Sequence, residues 1–482
     1  MPGSESLSAQ FAERLTAFRL TDVPKGVVRH AKLLLLDTLG AMLAASNSKY
    51  SAPRILMEYA RQVGGRPESS LVGQRGKTSC VNAALVNGTL GYYCDIEPHH
   101  VGGILHAPAV MVPVSLAVSE KLETSGARLL EAMILGIEVT CRVSYALNPT
   151  ALYNRGFHPS SVCGAFGAAA AAGHLFRLDG KKTAIALGLA LQQASGLLAW
   201  ASDHTENSRP LNPGLAARNG VTAAYLASLG FGGPPTPFEG KYDVFTAFSG
   251  ERHPEALLAD WGKHYYLPEF AYKRYSSCSF THPGLDALLG LAQDERLSSA
   301  DVEEIILRFP PSGLHMIDNN ELKSHCTQYI LPVGLVFGRI LIDDILQDRR
   351  KNPEVARLGT KTRMEPDDEL EKGWPEVYAS IVEVITRDGR RLSRRVDYAK
   401  GTQQNPLTSA DVQEKYLRLA TTVTSIGHAE RIAKTVERID RLPDTAGLAG
   451  LLRTLQPAGS AGGRKSGKAG SRRPMARGRA AR

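Results

Sequence analysis

Residues 164–175 read GAFGAAAAAGHL, and a run this rich in glycine and alanine restricts the folds open to the chain. Small side chains leave a helix thin, so neighbouring helices must approach it closely to exclude water. Helical patterns with apolar residues three and four apart recur at residues 27–45, 108–122, 126–145, 183–200 and 214–228. The sequence therefore predicts a large all-helical domain over residues 1–266.

The pattern changes near Leu267. Residues 302–309 alternate as a strand does, and residues 377–386 and 391–396 flank an Asp-Gly turn, which predicts a hairpin. A helix is predicted over residues 328–345, and helical patterns return at 409–419 and 428–439. We expect a mostly α fold, with a large all-helical domain, a smaller inserted α+β lid domain at 267–405, a return to the helical domain at 406–456 and a substrate site in the cleft.

The net charge of +9 comes from the C-terminus. Residues 457–482 contain eight Lys or Arg and no Asp or Glu, and the rest of the chain has 49 basic and 48 acidic residues. This segment is rich in Gly, Ala, Ser and Arg, so we expect a disordered basic tail. The charge therefore does not indicate a specific nucleic-acid partner.

Six scattered cysteines form no CxxC pair, which favours reduced thiols over a disulfide framework or a structural zinc site. The N-terminal residues lack the basic and apolar regions of a secretory signal. No apolar run reaches about 18 residues without a charge, so no membrane partner is predicted. We expect a cytoplasmic protein.

Residues 94–106, CDIEPHHVGGILH, bring six potential metal ligands or proton carriers into one predicted loop. Their spacing matches no compact metal template such as HExxH, so no metal site is predicted. Acid/base or anion-binding use of Asp95, His99 and His106 remains open, and so does a plain polar loop.

Two further segments carry polar residues at predicted helix starts. His158, in RGFHPSSVC, precedes a helix N-terminus, which favours an anion, although a lone histidine there is more often structural. Arg209, in NSRPLNPGLAAR, can bind a carboxylate through two hydrogen bonds, or else lies on the surface beside a turn.

The predicted lid contributes YKRYSSCSFTHPGLD and SHCTQY. Lys273 and Arg274 precede a small polar run and suit a carboxylate, or else mark an exposed basic strand edge. His282 is a candidate for proton transfer. Tyr329, which follows His325, can transfer a proton only where a partner holds it, and a core tyrosine is the commoner outcome.

Taken in order, GFHPSSV, RPLNPGLAARNGVTAAYLASLGF and KRYSSCSFTHPGLDA resemble the MmgE/PrpD family, over about residues 8–442. The resemblance implies a helical domain with an α+β lid, a homodimer, and catalysis without a metal or organic cofactor. Residues 96–99 (IEPH) depart from the family's loop pattern, and Arg209 stands where relatives that act on cis-aconitate carry lysine. The positions matched by motif are Asp95, His106, His158, Lys273, Arg274, His282 and Tyr329.

The resemblance also implies chemistry beside a carboxylate, through loss of an α-proton or CO₂. We expect His106 and His158 to transfer protons, with Asp95 orienting one of them. Lys273, Arg274 and Arg209 would hold carboxylates, and His282 or Tyr329 would serve a leaving hydroxyl.

The expected activity is a lyase, a dehydratase of a 2-methylcitrate-like tri- or dicarboxylic hydroxy acid. Epimerisation of an imino- or aminodicarboxylate, decarboxylation of cis-aconitate and non-catalytic carboxylate binding are the alternatives.

Overall fold

The computed structural model describes residues 6–453 and 455, and helices dominate it, so the predicted mostly α fold is confirmed. The predicted basic tail at 457–482 lies outside the described residues. Among the residues described, no helix is both long enough and apolar enough to cross a membrane.

The helices and short strands up to residue 248 are α1 (Leu7–Ala17), α2 (Lys25–Ala45), α3 (Ser51–Val63), β1 (Ser69–Ser70), β2 (Lys77–Thr78), α4 (Cys80–Tyr93), β3 (His99–His100), α5 (Ala107–Leu122), α6 (Gly126–Ala146), α7 (Pro149–Asn154), α8 (Pro159–Leu175), α9 (Gly180–Leu191), α10 (Ser208–Ser228) and α11 (Val244–Phe248).

The small-residue helix α8 is buried along its whole length, between neighbours that it contacts closely. A Cβ added at Gly220 of α10 would lie 2.3 Å from the Cβ of Ala168 in α8. A Cβ added at Gly88 of α4 would lie 2.9 Å from the Cα of Gly214 in α10. Both distances are too short for non-bonded carbon atoms, so glycine is needed for these helices to pack. The close approach predicted for α8 is therefore confirmed.

The chain then forms a second, smaller part that contains a sheet. The sheet contains β5 (Val302–Phe309), β6 (Thr362–Pro366), β7 (Ser380–Thr386) and β8 (Arg391–Val396). Their order is β6-β5-β7-β8; β5 runs parallel to β6, while β5–β7 and β7–β8 are antiparallel. The predicted hairpin is the β7–β8 pair, with Gly389 at a φ of +86° in its Asp-Gly turn. The elements are β4 (Phe270–Ala271), α12 (His282–Asp294), β5 (Val302–Phe309), α13 (Pro311–Leu314), α14 (Thr327–Phe337), α15 (Ile342–Leu346), α16 (Pro353–Thr360), β6 (Thr362–Pro366), α17 (Asp368–Glu371), β7 (Ser380–Thr386) and β8 (Arg391–Val396).

One predicted helix of this part is wrong in its extent. Residues 328–345 were expected to form a single helix, but α14 ends at Phe337 and α15 begins at Ile342. Gly338 takes a left-handed φ of +67° at the C-cap of α14, which ends the helix and redirects the chain.

The helical part and the sheet-containing part have separate hydrophobic cores. Three side chains of the helical part, Ile104, Tyr153 and Trp200, belong to the second core and so join the two parts. After β8 the chain forms α18 (Ser409–Ala420), α19 (Ile426–Glu437) and α20 (Ala446–Arg453), and Val412 and Tyr416 of α18 lie in the first core. The domain boundaries remain predictions.

Lys415 of α18 connects the end of the chain to the polar loop at 94–106. Its buried ammonium lies 2.9 Å from Asp37 Oδ2 in α2 and donates a 2.7 Å hydrogen bond to the carbonyl oxygen of Ile96. Burial lowers the pKa of Lys415 and raises the pKa of Asp37, and their mutual attraction opposes both shifts. The loop is thus fixed from behind by a charged pair that water does not reach.

We expect Lys415→Met to destabilise the protein strongly, because it leaves Asp37 buried without its counter-ion. Loss of one partner from a buried pair costs about 3–5 kcal/mol. Urea unfolding of the full chain measures the change. As a control, Lys372→Met removes an exposed pair with Glu369 and should leave the midpoint unchanged. Equal midpoints for the two variants would contradict the structural role of Lys415.

Candidate functional site

The polar loop is held in place by a short strand pair. β3 pairs antiparallel with β4, with His99 opposite Ala271 and His100 opposite Phe270. Asp95 follows α4 and takes a left-handed φ of +50°, which turns the chain sharply after the helix. Because β4 ends two residues before Lys273, this register places the lysine against the acids of the loop.

Buried ion pairs form the floor of the candidate site. The Lys273 ammonium, which has no solvent exposure, hydrogen-bonds Asp95 Oδ1 and lies 3.4 Å from Glu97 Oε1. The Arg209 guanidinium lies 3.7 Å from Asp95 Oδ1 and 3.6 Å from Glu206 Oε2. Three carboxylates and two cations therefore share one buried network, and both cations already have protein partners.

Two histidines lie at the N-termini of helices that face this network. His106 is the N-cap residue of α5 and His158 that of α8, and proline follows within the first turn of each helix. Neither imidazole caps its own helix, so both rings are free to turn toward the interior. Their centroids lie 6.5 Å apart, and Tyr92 contacts both rings edge to face. Helix N-termini favour negative charge, as expected of a carboxylate site.

The rings surround a small cavity of about 30 Å³. That volume holds about two water molecules and is too small for a tricarboxylate. A substrate of that size therefore needs the side chains that line the cavity to move. The lining includes Tyr92, His99, His106, His158, Trp200, Cys278, His325 and Tyr378.

Burial favours the neutral form of four histidines that line the cavity. It lowers the pKa of His99 and His158 well below 6.5, with Lys273 adding to the effect at His99. It also lowers the pKa of His106, and it lowers that of His325 to about 3. Neutral imidazoles can accept a proton, so the cavity holds bases.

Two acids of the network, Asp95 and Glu97, are held in the ionised form. Burial raises the pKa of Asp95, but Arg209 and Lys273 outweigh it and hold the pKa below its usual range. The pKa of Glu97 is likewise lowered, because Lys273 and His106 outweigh the effect of burial. Charged carboxylates next to neutral imidazoles are a typical acid/base arrangement.

Several buried polar atoms at the site have no hydrogen-bond partner. They are Asp95 Oδ2, Glu97 Oε2, His99 Nδ1, His106 Nδ1, His158 Nδ1 and Trp200 Nε1. Buried polar atoms are normally satisfied, so this concentration indicates a place that receives a polar ligand or water. Within residues 6–453 and 455, no three His, Cys, Asp or Glu side chains are placed to share a metal ion.

The structure brings six of the nine predicted residues together: Asp95, His99, His106, His158, Arg209 and Lys273. His282 lies just outside this group. Its Nε2 is 3.3 Å from the carbonyl oxygen of Ser277, and it borders a second space of about 20 Å³ that also touches His99.

Two predicted residues lie elsewhere. The Arg274 side chain is 47% exposed and pairs with Asp286 at 3.3 Å, because it points away from its buried neighbour Lys273. The Tyr329 hydroxyl donates to the carbonyl oxygen of Asp344 and accepts from the backbone of Arg349, which fixes it within the second core. The structure therefore places the Arg274 and Tyr329 side chains outside the group around the cavity, and the roles expected of them remain predictions.

Four residues at the site carry no role predicted from the sequence: Tyr92, Glu97, Trp200 and Glu206. Glu206 could have been found, since it precedes Arg209 by three residues in one turn-rich segment. Trp200 and Tyr92 carry no polar motif, and only the helix packing brings them to the cavity. His325 lies in the same sequence segment as Tyr329. The side chain of His325 lines the cavity, and that of Tyr329 does not.

The neutral histidines predict a loss of stability in mild acid. The pKa of His325 is about 3 in the folded chain against 6.5 as a reference, and His282 behaves alike. Below pH 6.5 the unfolded chain binds protons that the folded chain does not, so the free energy of unfolding falls as the pH drops from about 6.5 toward 3. Thermal unfolding between about pH 7.5 and pH 5 measures it.

His325→Asn should show a shallower pH slope than the wild type, since one of the titrating groups is gone. A melting temperature that stays constant or rises as the pH falls through this interval would contradict the burial of neutral histidines.

Comparisons with known proteins match nearly the whole chain. The MmgE/PrpD N-terminal domain matches residues 9–257, and the MmgE/PrpD C-terminal domain matches residues 275–441. Cis-aconitate decarboxylase of Homo sapiens is 27% identical over 470 residues, covering 94% of this chain and 96% of that protein. The cis-aconitate decarboxylase-like protein oryM of Aspergillus oryzae is 27% identical, with 93% and 97% covered. Cis-aconitate decarboxylase of Aspergillus terreus is 26% identical, with 89% and 92% covered.

The two family matches together span most of the described helices and the four-stranded sheet. They confirm the resemblance carried by the GFHP and KR…TH segments, and the chain belongs to the MmgE/PrpD family.

Proposed function

We propose that the protein is a lyase that removes CO₂ from a small unsaturated tricarboxylate of the cis-aconitate kind. The observation that carries the proposal is the meeting of His106 and His158 above the buried cations Arg209 and Lys273. Relatives named as cis-aconitate decarboxylases, matched over nearly their full lengths, support the choice of substrate class.

Decarboxylation fits the site better than the dehydration expected from the sequence. A dehydratase must protonate a leaving hydroxyl, and Tyr329 and His282 were expected to do so. The Tyr329 hydroxyl is held by the backbone of another element, and His282 Nε2 lies against the carbonyl oxygen of Ser277. A decarboxylase needs no such acid. The dehydratase and the epimerase remain predictions, and so does the homodimer.

The reaction balances with one proton. As the bond to the departing carboxylate breaks, its electron pair moves through the neighbouring alkene onto a carbon beside a remaining carboxylate. An imidazolium then protonates that carbon. Arg209 and Lys273 do not line the cavity, but their positive charges lower the energy of the negative charge as it spreads toward the remaining carboxylates.

The imidazolium arises from substrate binding. His106 and His158 are neutral because they are buried, but a bound tricarboxylate adds negative charge beside them and raises their pKa values. Binding should therefore take up protons from solution and become tighter as the pH falls toward 6. Asp95 and Glu97 act on His106 in the same direction, while Lys273 opposes them.

The test is incubation with cis-aconitate, 2-methylcitrate, citrate and iminodisuccinate, followed by NMR in deuterated water. We expect CO₂ release from cis-aconitate and a single deuterium at a methylene carbon of the product. A new alkene from a hydroxy acid would instead indicate the dehydratase, and deuterium exchange without net conversion would indicate the epimerase. Either result in place of CO₂ release would overturn the proposal.

Arg209→Met should lower kcat/KM by about 100-fold or more, because a buried guanidinium that binds a carboxylate is lost. Arg274→Met is the matched control. It removes a neighbouring but exposed cation and should leave both kinetic constants within about twofold. Melting temperatures of both variants separate a catalytic loss from unfolding, and similar activities for the two would place the carboxylate elsewhere.

A further inference from the structure

We propose that Glu97 is a positioning residue that holds the proton of His106 on Nδ1, so that Nε2 is the atom that exchanges a proton with the substrate. This inference rests on the proposed function, because it assigns one step of it to a specific nitrogen. Glu97 Oε1 lies 2.8 Å from Nδ1 of His106, and the Glu97 side chain has no solvent exposure.

The pair is close but not yet aligned. His106 Nδ1 and Glu97 Oε2 are both buried polar atoms without a hydrogen-bond partner, although the two groups touch. A small rotation of the imidazole gives Nδ1–H an acceptor and removes an unsatisfied donor from the interior. Catalytic hydrogen bonds commonly align when the substrate is bound, so the same rotation belongs to the formation of the working complex.

Glu97 stands behind His106 rather than in the cavity. His106 lines the cavity, and Glu97 does not. The backbone of Glu97 is fixed by its neighbour Ile96, whose carbonyl oxygen binds Lys415. The carboxylate also lies 3.4 Å from Lys273, which prevents it from rotating toward solvent. Glu97 therefore acts on the substrate only through the ring that it holds.

The opposite nitrogen of His106 is left for the reaction. The imidazole of His106 packs edge to face against Tyr92, with ring centroids 4.8 Å apart, and its centroid lies 5.8 Å from that of His99. These contacts hinder a 180° flip of the imidazole. With the Nδ1 proton retained by Glu97, Nε2 carries the lone pair. It takes up the proton that accompanies substrate binding and delivers it to carbon, while Glu97 remains a carboxylate throughout.

Charged and titratable groups around His106 act in opposite directions. Burial and Lys273 lower its pKa, whereas Glu97 and Asp95 raise it. His158 faces it across Tyr92, and His99 lies on the loop beside it. Removing the charge of Glu97 should therefore lower the pKa of His106 and make its imidazolium harder to form.

The experiment compares Glu97→Gln and Glu97→Asp with a matched control, Glu131→Gln. Glu131 makes an analogous buried contact with His174, at 2.6 Å, at a distant place in the helical part. We expect Glu97→Gln to lower kcat by about 100-fold or more and to move the apparent pKa of the kcat profile to lower pH. Glu97→Asp keeps the negative charge, so the apparent pKa of its kcat–pH profile should match that of the wild type. Glu131→Gln should lower the melting temperature without moving the profile.

Nitrogen NMR of ¹⁵N-histidine-labelled protein, with His106 assigned by comparison with His106→Gln, reads the tautomer without turnover. The wild type should show a protonated Nδ1 and an unprotonated Nε2 at neutral pH, and Glu97→Gln should change that pattern. An Nε2–H tautomer in the wild type, or a pattern and profile unchanged in Glu97→Gln, overturns the inference. A wild type that releases no CO₂ overturns the proposed function instead, and the NMR result still decides the tautomer.

Discussion

The contact between Lys273 and the two acids of the polar loop, Asp95 and Glu97, is the interaction on which the rest of the site depends. It joins a residue just after β4 to residues just after α4, so it ties the helical part to the sheet-containing part. Burying three charges is costly unless they are paired closely, and the β3–β4 pair supplies the register that keeps them paired.

The helix packing explains why residues so distant in sequence meet here. The glycines of α4 and α10 and the alanines of α8 let these helices lie close enough for the C-terminus of α4 to reach the N-termini of α8 and α10. Tyr92, His158 and Arg209 stand at those three ends. A bulkier residue in the middle of one helix would displace its end, and the cation or imidazole would move with it.

The sequence predicted much of this arrangement, and its failures have physical causes. Helical periodicity and small-residue content predicted the helical part, and the Asp-Gly turn predicted the β7–β8 hairpin. Adjacent residues such as Lys273 and Arg274 are chemically alike in sequence, but only one points inward, and periodicity near an irregular segment does not say which. Tyr329 follows a histidine that does face the cavity, yet its own hydroxyl is bound to backbone that becomes a neighbour only after folding. The positioning role proposed for Glu97 follows only from the short distance between its carboxylate and His106 Nδ1, which the sequence does not show.

The link from Lys415 to the carbonyl oxygen of Ile96 has a consequence for the order in which the protein is made. Asp37 and the polar loop are synthesised early, whereas their cationic partner follows more than three hundred residues later. While the chain is still on the ribosome, the helices of the first part can begin to pack, but the loop beneath the histidines lacks its support. A nascent chain that ends within the sheet therefore carries the candidate site's residues without their final geometry. The loop gains this support only after α18, which follows the sheet in the chain, has been synthesised.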